Sequence, residues 1–331
     1  MQAQVPDQGR HPHAAVGGWD SDGGRLGLEG ASVSVCVVSW NSAADLPNCL
    51  KALLECAAEG IEEVILVDNA SADESVEVAQ AAFPGLQVLA AGANLGLGTA
   101  ANLGATQARG EMLLFVNPDV VVVPGAIAAL KEFFGGHPEA GCCGPRLLNP
   151  DGSLQPSCRS FPTLLTGFFR YTILGRLFPR NRFTRDYLLS DFDHREPREV
   201  DWVSGACLAV RREAWERVGG FDEGFFMFCE DTDLCYRMRE TGWKVYYVPQ
   251  AEAYHKRGAS TNQAVARMTV AWHKSMLRFY GKHYRRKYSL PARMLAVGGI
   301  WLRCLAALAK TEIFTAEGRL SRYAKALRAG R

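Results

Sequence analysis

Met112-Leu113-Leu114-Phe115-Val116-Asn117-Pro118-Asp119 is the stretch of sequence on which the rest of the fold depends. Five consecutive apolar residues followed by Asn-Pro predict a β-strand that is buried on both faces and ends in a turn. In open α/β sheets ligands bind beyond the carboxyl ends of the strands, so Asp119 is a carboxylate in position to meet a substrate or a metal ion. Asn, Pro and Asp are also common turn residues, and a plain turn is the alternative interpretation.

The charge of the chain is unevenly distributed. Its 331 residues are 48% hydrophobic, as in an ordinary globular protein, and the net charge is +2. Between Lys256 and Arg331 there are 17 Lys and Arg residues and only two acids, which leaves 20 of the 37 basic residues and 33 of the 35 acidic residues for the rest of the chain. The sequence therefore predicts an acidic body followed by a strongly basic C-terminal region.

Two further features bear on the cellular compartment. Residues 1–30 are rich in Gly, Asp, His and Gln and lack the apolar core of a signal peptide, so we predict a disordered leader. The ten cysteines include no CxxC pair and no regular framework, which favours reduced thiols in a cytosolic protein.

Predicted strands and helices alternate over the first 134 residues. The strands fall at 34–38, 63–67, 86–89 and 112–116, and the helices at 46–54, 73–83, 97–108 and 124–134. Such alternation with short loops predicts a mostly parallel sheet covered by helices on both faces. Beyond it we expect a Gly/Pro/Cys-rich passage, an irregular segment at 156–199, a strand at 202–210, a helix at 212–218 and an edge strand at 243–249.

Polar residues follow several of these strands. Asp68 could accept hydrogen bonds from a ribose or a base, or could simply cap the next helix. Asn94 and Asn102 flank the turn Gly96–Thr99, where their amides could bind a nucleotide or only satisfy the backbone. Gly96-x-Gly98-x-x-Ala101 also partly matches a dinucleotide fingerprint, but that fingerprint normally belongs to the first βα unit and this turn opens the third. An NAD-dependent dehydrogenase therefore stays as a rival interpretation.

A second group of acids lies near residue 230. Glu230, Asp231 and Asp233 start a predicted helix directly after the aromatic run Phe225–Phe228. Carboxylates at a helix start favourably oppose the helix dipole, which is the plain explanation. A carboxylate in the wall of an aromatic pocket is also partly desolvated and can act as a general base. His255 follows the last predicted strand, where an imidazole could reach a metal ion or could be structural.

Taken together, these motifs resemble family 2 glycosyltransferases of the GT-A fold, from about Val33 to Ser260. The matching points are Ser39-Trp40-Asn41, Val67-Asp68-Asn69-Ala70-Ser71, Asn94-Leu95-Gly96 with Asn102, Asn117-Pro118-Asp119, Trp202-Val203-Ser204-Gly205-Ala206, Glu230-Asp231-x-Asp233-Leu234 and His255. The resemblance implies a GT-A nucleotide-diphospho-sugar transferase fold, an α/β fold with a mostly parallel central sheet flanked by helices. It also implies an inverting transfer of a sugar from a nucleotide donor.

The resemblance assigns roles residue by residue. Asp231 would be the general base, with Glu230 beside it. Asp119 would coordinate Mg²⁺ or Mn²⁺ at the donor diphosphate, and His255 would be a further ligand. The donor nucleotide would be bound by Ser39, Asn41, Asp68, Asn94, Asn102 and Asn117. The acceptor side would include Trp202, Gly205 and Asp233.

One departure from the family pattern narrows the expected subgroup. Many members have Asp-x-Asp where this chain has Asn117-Pro118-Asp119, which removes one carboxylate from the expected metal site. This form, together with Phe228-Cys229-Glu230-Asp231-Thr232-Asp233-Leu234-Cys235, most resembles rhamnosyltransferase-like members that build bacterial cell-wall linkers or surface polysaccharides on a lipid diphosphate. The implied donor is dTDP-L-rhamnose, with UDP-hexoses including UDP-galactofuranose as alternatives, and the implied acceptor is a polyprenyl-diphosphate-linked saccharide or a polysaccharide. A non-catalytic module that binds nucleotide sugars or lipids is the alternative of another class.

The basic C-terminal region completes the predicted organisation: a leader at 1–30, a catalytic domain at 31–260 and basic amphipathic helices at 261–331. The apolar run from Met294 to Ala309 is interrupted by Arg303 and is shorter than the roughly 20 residues of a membrane span. We therefore expect an interfacial helix on anionic lipid at the cytoplasmic face of the membrane, or alternatively a helical pair packed on the catalytic domain. No nucleic-acid-binding motif accompanies the basic residues, so nucleic acid is not an expected partner.

Overall fold

The computed structural model describes residues 31–83, 85–256, 258 and 264–329, so the predicted leader at 1–30 lies outside it. The strands are β1 (Val33–Ser39), β2 (Ile61–Asp68), β3 (Gln87–Ala90), β4 (Met112–Val116), β5 (Val120–Val122), β6 (Ala140–Leu148), β7 (Leu154–Gln155), β8 (Cys158–Arg159), β9 (Arg198–Val200), β10 (Trp202–Val203), β11 (Cys207–Arg211) and β12 (Lys244–His255). The helices are α1 (Leu46–Glu55), α2 (Ser75–Ala82), α3 (Leu97–Gln107), α4 (Ala126–Gly136), α5 (Leu164–Tyr171), α6 (Ile173–Leu177), α7 (Arg182–Leu188), α8 (Arg212–Val218), α9 (Glu230–Glu240), α10 (Val265–His283) and α11 (Leu290–Ala329).

The central sheet has the strand order β3-β2-β1-β4-β11-β6-β12-β5. Strands β3, β2, β1 and β4 are parallel, as predicted. Strand β11 joins the sheet antiparallel to β4, and β12 runs parallel to β6 and antiparallel to β5. The predicted α/β fold with a mostly parallel sheet is confirmed.

Alternate residues of the central strands enter two different cores. Val35 and Val37 of β1 pack with α1, α2 and α4 on one face of the sheet. Cys36 and Val38 pack with α3, α8 and α9 on the other face. Because both faces are covered by helices, the strand can be apolar throughout, which is why it reads as an unbroken hydrophobic run.

The second half of the sheet departs from the sequence-based predictions in three places. A nine-residue strand, β6, lies in the Gly/Pro/Cys-rich passage, where no strand was predicted. Its Gly141 lies against Trp243, where an added Cβ would be 2.7 Å from the tryptophan Cβ, so close packing explains a glycine inside a strand. The predicted strand at 202–210 is broken into β10 and β11 by residues 204–206. The predicted edge strand extends to His255 and lies inside the sheet, between β6 and β5.

Residues 156–199, which were expected to be irregular, contain the short helices α5, α6 and α7. Each begins at a polar side chain that accepts a hydrogen bond from the backbone of its first turn. These caps are Thr163 to the Thr166 N–H, Thr172 to the Leu174 N–H and Asn181 to the Thr184 N–H. The helices are too short for a clear apolar period, and only the caps could have revealed them.

The C-terminal helices are attached to the α/β body. An aromatic cluster joins Phe225 and Tyr236 to Phe279, Tyr280 and Tyr284 of the α10 region. Helix α11 packs along α10 and is longer than the apolar run suggested. Its part Leu290–Thr311 has 22 residues and is long and apolar enough to cross a membrane by length and composition.

Candidate active site

A cleft of about 390 Å³ opens where β1, β2 and β4 end and where the chain turns into β11. It collects residues that are far apart in sequence, as the position of the strand ends requires. Seven of the sequence-predicted site residues line it: Asn94, Asn117, Asp119, Gly205, Glu230, Asp231 and His255. Residues that the sequence-based assignment did not include also line it, among them Trp40, Asn69, Phe226 and Phe228.

Three predicted nucleotide-binding residues lie beside the cleft and support its turns. Ser39 is fully buried within β1. Asn41 Oδ1 accepts a hydrogen bond of 2.7 Å from the Ala72 N–H, and Asp68 Oδ1 accepts one of 3.2 Å from the Ser71 N–H. These bonds fasten together the loops that follow β1 and β2. Asp68 therefore does not cap helix α2, which was the alternative interpretation. It caps a turn instead, because the Ser71 N–H that it accepts from lies before the start of α2.

Three other predicted site residues form hydrogen bonds or ion pairs outside the cleft. Asn102 holds the residue 221 loop, since its Nδ2 donates to the Phe221 carbonyl and its Oδ1 accepts from the Phe221 N–H. Trp202 Nε1 donates to the Ser160 carbonyl at 3.0 Å. Asp233 is fully buried and bonded to cationic side chains.

Asn69 is the polar residue that the sequence analysis missed on the nucleotide side. It is almost fully buried, and its Oδ1 accepts a hydrogen bond of 2.8 Å from the Leu95 N–H. Its Nδ2 donates to Asn94 Oδ1 at 3.2 Å. Asn69 therefore holds the loop that carries Asn94 at the cleft wall. Its position directly after Asp68 at a strand end was the available signal.

The carboxylates of Glu230 and Asp231 enter the cleft at the start of α9. The two residues before them, Phe228 and Cys229, have positive φ angles of 69° and 63°. Consecutive left-handed residues other than glycine are strained, and such strain persists where the surrounding structure enforces it. Here it turns the chain sharply between the aromatic run and the helix, which aims both carboxylates at the cleft.

The Asp231 carboxylate is held in place by two backbone N–H groups. Its Oδ2 accepts a hydrogen bond of 2.9 Å from the Gly205 N–H, and its Oδ1 accepts one of 2.6 Å from the Thr232 N–H. A Cβ added at Gly205 would lie 3.2 Å from the Asp231 Cβ, so a glycine permits this close approach. The hydrogen bonds fix the carboxylate orientation, as a base that must meet a hydroxyl group requires.

Burial raises the pKa of both neighbouring carboxyl groups. The pKa of Glu230 rises from 4.5 to about 8, because of desolvation and then because of the Asp231 charge. Burial also raises the pKa of Asp231, although its hydrogen bonds from Gly205 and Thr232 act in the opposite direction. Glu230 Oε2 has no hydrogen-bond partner in the described part of the chain. The proton of the pair therefore belongs on Glu230, and Asp231 is the member stabilised as the anion.

Asp233 has a different environment from its neighbours. Its Oδ2 accepts from Arg237 Nε at 2.7 Å, and its Oδ1 lies 2.7 Å from both Lys282 Nζ and His283 Nε2. Burial alone would raise the pKa of Asp233, but the bonds from His283, Lys282 and Arg237 outweigh it and lower the pKa. This carboxylate joins α9 to the end of α10 and is not directed at the cleft.

Asp119 and His255 meet at the other end of the cleft. His255 Nε2 lies 3.5 Å from Asp119 Oδ1. On its far side, His255 Nδ1 is 2.7 Å from Gln155 Oε1. The orientation of the Gln155 amide is fixed because its Nε2 donates to the His255 carbonyl, which can only accept. His255 Nδ1 must therefore carry a proton, which makes Nε2 the ring nitrogen that can bind a cation shared with the carboxylate.

A divalent cation fits this arrangement. A lone pair and a carboxylate oxygen that face each other are suited to sharing a cation, and metal-bound histidines usually donate their other N–H to a polar partner, as His255 does to Gln155. Within the described residues, no group of three or more His, Cys, Asp and Glu side chains is arranged to hold a metal ion. Two protein ligands agree with Mg²⁺ sites that also use substrate phosphates and water.

Comparison with known proteins adds three findings on sequence. Residues 30–275 match the family described as "Glycosyltransferase like family 2". The N-acetylglucosaminyl-diphospho-decaprenol L-rhamnosyltransferase of Mycobacterium tuberculosis is 38% identical over 281 residues, which cover 81% of this chain and 90% of that protein. Rhamnosyltransferase WbbL of Escherichia coli K12 is 29% identical over 52% of this chain and 62% of its own length.

Two solved structures share the fold. The mannosyltransferase PcManGT of Pyrobaculum calidifontis, in complex with GDP-Man and Mn²⁺, superimposes with a TM-score of 0.52 over 90% of this chain and 81% of that one, at 18% identity. GalNAc-T7 with UDP, GalNAc and Mn²⁺ gives a TM-score of 0.54 over 70% of this chain and 44% of that one, at 18% identity. These similarities establish the GT-A architecture that the sequence motifs implied.

Proposed function

Since this chain belongs to the family of glycosyltransferase-like family 2 proteins and is a glycosyltransferase, we propose that it transfers L-rhamnose from dTDP-L-rhamnose to N-acetylglucosamine carried on a polyprenyl diphosphate. The single observation that carries the proposal is the cleft itself. It has a fixed carboxylate, Asp231, on one wall and the Asp119–His255 pair on the other. The rhamnosyl donor and lipid-linked acceptor are supported by the activity named for the 38% identical relative.

Asp231 acts as the general base in this reaction. An acceptor hydroxyl oxygen attacks the anomeric carbon, its proton passes to the Asp231 carboxylate, and the bond from that carbon to the nucleotide diphosphate breaks. Attack from the face opposite the leaving group inverts the anomeric configuration. Gly205 and Thr232 hold the base in one orientation, and a neutral Glu230 leaves the negative charge of the pair on Asp231.

The donor diphosphate lies at Asp119 and His255. A Mg²⁺ or Mn²⁺ ion bound there would stabilise the negative charge that develops on the leaving diphosphate. Gln155 keeps the proton of His255 on Nδ1, so that Nε2 stays available as a ligand. Asn69 and Asn94 shape the nucleoside end of the cleft, with Trp40 as an aromatic wall.

The enzyme works at the cytoplasmic face of the membrane without spanning it. Arg303 of α11 lies over the Trp272 ring of α10 at 4.0 Å, and Cys304 is buried, so one side of α11 faces protein. Its other side exposes Met294, Leu295, Leu302 and Leu305. A helix with one protein-facing side and one apolar side suits the membrane interface. Extraction of membranes with high salt and alkaline carbonate tests this: release supports peripheral binding, and retention would indicate a span.

The experiment that tests the reaction is a donor panel. Purified protein is incubated with Mg²⁺, a polyprenyl-diphosphate-linked N-acetylglucosamine and either dTDP-L-rhamnose or UDP-hexoses including UDP-galactofuranose. Mass analysis of the lipid product should show one added deoxyhexose from the dTDP donor only, and Asp231→Asn should show none above a trace. Consumption of a UDP-sugar alone would refute the rhamnosyl assignment. Binding of NAD(H) without any response to nucleotide sugars would refute the transferase class.

A further inference from the structure

The segment 156–185 carries charge of one sign. It contains six arginines and no Asp, Glu or Lys. Arg176 and Arg180 are exposed, and in the described part of the chain neither has an acidic side chain within ion-pair distance. Arg182 and Arg185 lie 3.9 and 3.8 Å from Asp186, and Arg185 lies 3.4 Å from Asp191, all in exposed ion pairs. The body of the protein is otherwise acidic, so this cationic segment is an exception within it.

The same segment exposes large apolar side chains. Leu177 and Phe178, at the end of α6, are 65% and 57% exposed. Leu165 and Phe168 on α5 are exposed as well. Apolar side chains projecting beside arginines are the composition expected of a segment that lies at a lipid–water boundary, where the rings and aliphatic groups enter the acyl region and the guanidinium groups stay at the head groups.

The segment is a neighbour of the C-terminal helices. Leu164, the first residue of α5, packs against the aromatic cluster that includes Tyr236 and Tyr284. Ala296 of α11 packs against the same cluster. The two segments that expose apolar residues, α5–α6 and α11, are therefore both anchored at this one cluster.

The segment also begins next to Gly205, in the wall of the cleft that bonds Asp231. The Ser204 N–H donates to the Ser157 carbonyl at 2.8 Å, and β8 pairs with β10. The Phe161 N–H donates to Asp201 Oδ2 at 2.6 Å. Because the start of the segment is tied to β10 and to the residues that lead into Gly205, its position is linked to the part of the cleft that orients Asp231.

We propose that residues 164–185 bind the surface of an anionic phospholipid bilayer. Together with α11 they form a two-part membrane contact beside the part of the cleft that contains Gly205. The occupant is identified by charge complementarity, since exposed arginines next to apolar side chains suit anionic head groups over a hydrocarbon layer. The inference rests on the proposed function only in that a lipid-linked acceptor gives this contact a use. The bilayer holds the Gly205 wall where the diphosphate end of such an acceptor emerges.

Vesicle binding by the full-length chain tests the proposal. The probes are vesicles of phosphatidylcholine alone and of phosphatidylcholine with phosphatidylglycerol. The double variant Arg176→Gln/Arg180→Gln should weaken binding to the anionic vesicles by about 30-fold, at about fivefold for each cation withdrawn from the surface. The matched control is Lys51→Gln, an exposed cation on α1 across the sheet, which should leave binding unchanged.

A second pair of variants tests the apolar part. Leu177→Ser/Phe178→Ser should weaken binding to both vesicle types, and both variant proteins should keep the wild-type thermal unfolding profile because the changed side chains are exposed. Binding that is unchanged in both double variants would overturn the proposal. Loss of a concentration-dependent dimer by Leu177→Ser/Phe178→Ser in the absence of vesicles would also overturn it, because the face would then bind a second copy of the chain.

A further measurement separates this surface from the proposed reaction. Transfer to a short, water-soluble acceptor analogue should proceed at the wild-type rate in Arg176→Gln/Arg180→Gln, while transfer to the polyprenyl acceptor in anionic vesicles falls. If no rhamnose is transferred by any form but the vesicle results hold, the donor or acceptor assignment fails and the membrane contact stands. If transfer occurs but vesicle binding is unaffected, the contact fails and the reaction stands.

Discussion

Replacing Asp231 and Asp233 separately with Asn should produce losses of different kinds, although the two side chains are on the same turn of α9. Asn at position 231 keeps the shape of the side chain but cannot accept a proton at neutral pH. We expect Asp231→Asn to lower kcat by about 10²–10⁴-fold, the usual contribution of a general base. That corresponds to about 3–5 kcal/mol in the activation barrier. Donor affinity should change little, because Asp119 and His255 are on the other wall of the cleft.

The structure also bounds what Asp231→Asn does to stability. Asp231 accepts hydrogen bonds on both carboxylate oxygens, from the Gly205 and Thr232 N–H groups. An amide has one oxygen, so one of these two N–H groups would lose its acceptor. Leaving one buried donor unsatisfied costs about 1–3 kcal/mol of folding free energy.

Asp233→Asn should show the opposite balance. Its fully buried carboxylate neutralises Arg237 and Lys282 and is also in contact with His283. Removing one partner from a buried ion-pair network costs about 3–5 kcal/mol. We therefore expect a large fall in unfolding free energy while the folded fraction keeps near-normal kcat.

Three measurements on each variant separate the two effects: single-turnover transfer for chemistry, calorimetry with donor and Mn²⁺ for binding, and denaturant unfolding for stability. Asp222→Asn is a useful control, since Asp222 also pairs with Lys282 but is outside the cleft. Full turnover in Asp231→Asn, with turnover abolished in a stably folded Asp233→Asn, would refute the choice of base. Full turnover in both would refute the mechanism.

Three further predictions concern neighbouring residues. The folded-state pKa of Glu230 is raised to about 8, so the contribution of Glu230 to stability should be fully present below pH 4.5 and be lost as the pH rises through 8. Glu230→Gln should abolish that loss, roughly 3–5 kcal/mol in denaturant unfolding between pH 5 and 9, and equal pH slopes would contradict it. Gln155→Leu should weaken Mn²⁺ binding in the presence of dTDP by about 10–100-fold in calorimetry, as loss of an outer hydrogen bond to a metal-binding His does, and unchanged binding would show that His255 needs no such partner. Asn69→Ala should release the loop carrying Asn94 and raise the Kd for dTDP several-fold, with Mn²⁺ binding unaffected; a normal Kd would mean that the loop is held by other contacts.

The first half of the fold could be predicted from the sequence because the apolar pattern of each strand and helix shows which of its faces are buried. Val35 to Val38 and Leu113 to Phe115 are apolar on consecutive positions, as strands covered on both faces must be, and the helices between them carry regular apolar spacing. Strand β6 was not predicted because its glycine is explained by a contact with a residue that is distant in the sequence. Gly141 is there to admit Trp243, which lies about a hundred residues later, and nothing local signals such a contact.

The candidate site was predictable to the same extent. Asp119, Asp231 and His255 were found because they stand at ends of elements with recognisable motifs. Asn69 and Gln155 were missed because their significance is in hydrogen bonds to distant residues, Leu95 in one case and His255 in the other. Asp233 matched the acid motif equally well, and it is distinguished by its contacts with Arg237 and with Lys282 and His283 of α10.

The contacts of helix α9 limit where this enzyme can be truncated or recombined. Its first turn supplies Asp231 to the cleft, while Asp233 and Tyr236 on the same helix are enclosed by α10. A shortened protein ending near residue 260 would expose Tyr236 and leave the buried Asp233 without Lys282 and His283, in the first turn of α9. Recombination with other members of the family should therefore exchange α9 and α10 as a single unit, because the buried side chains of one are partnered by the other.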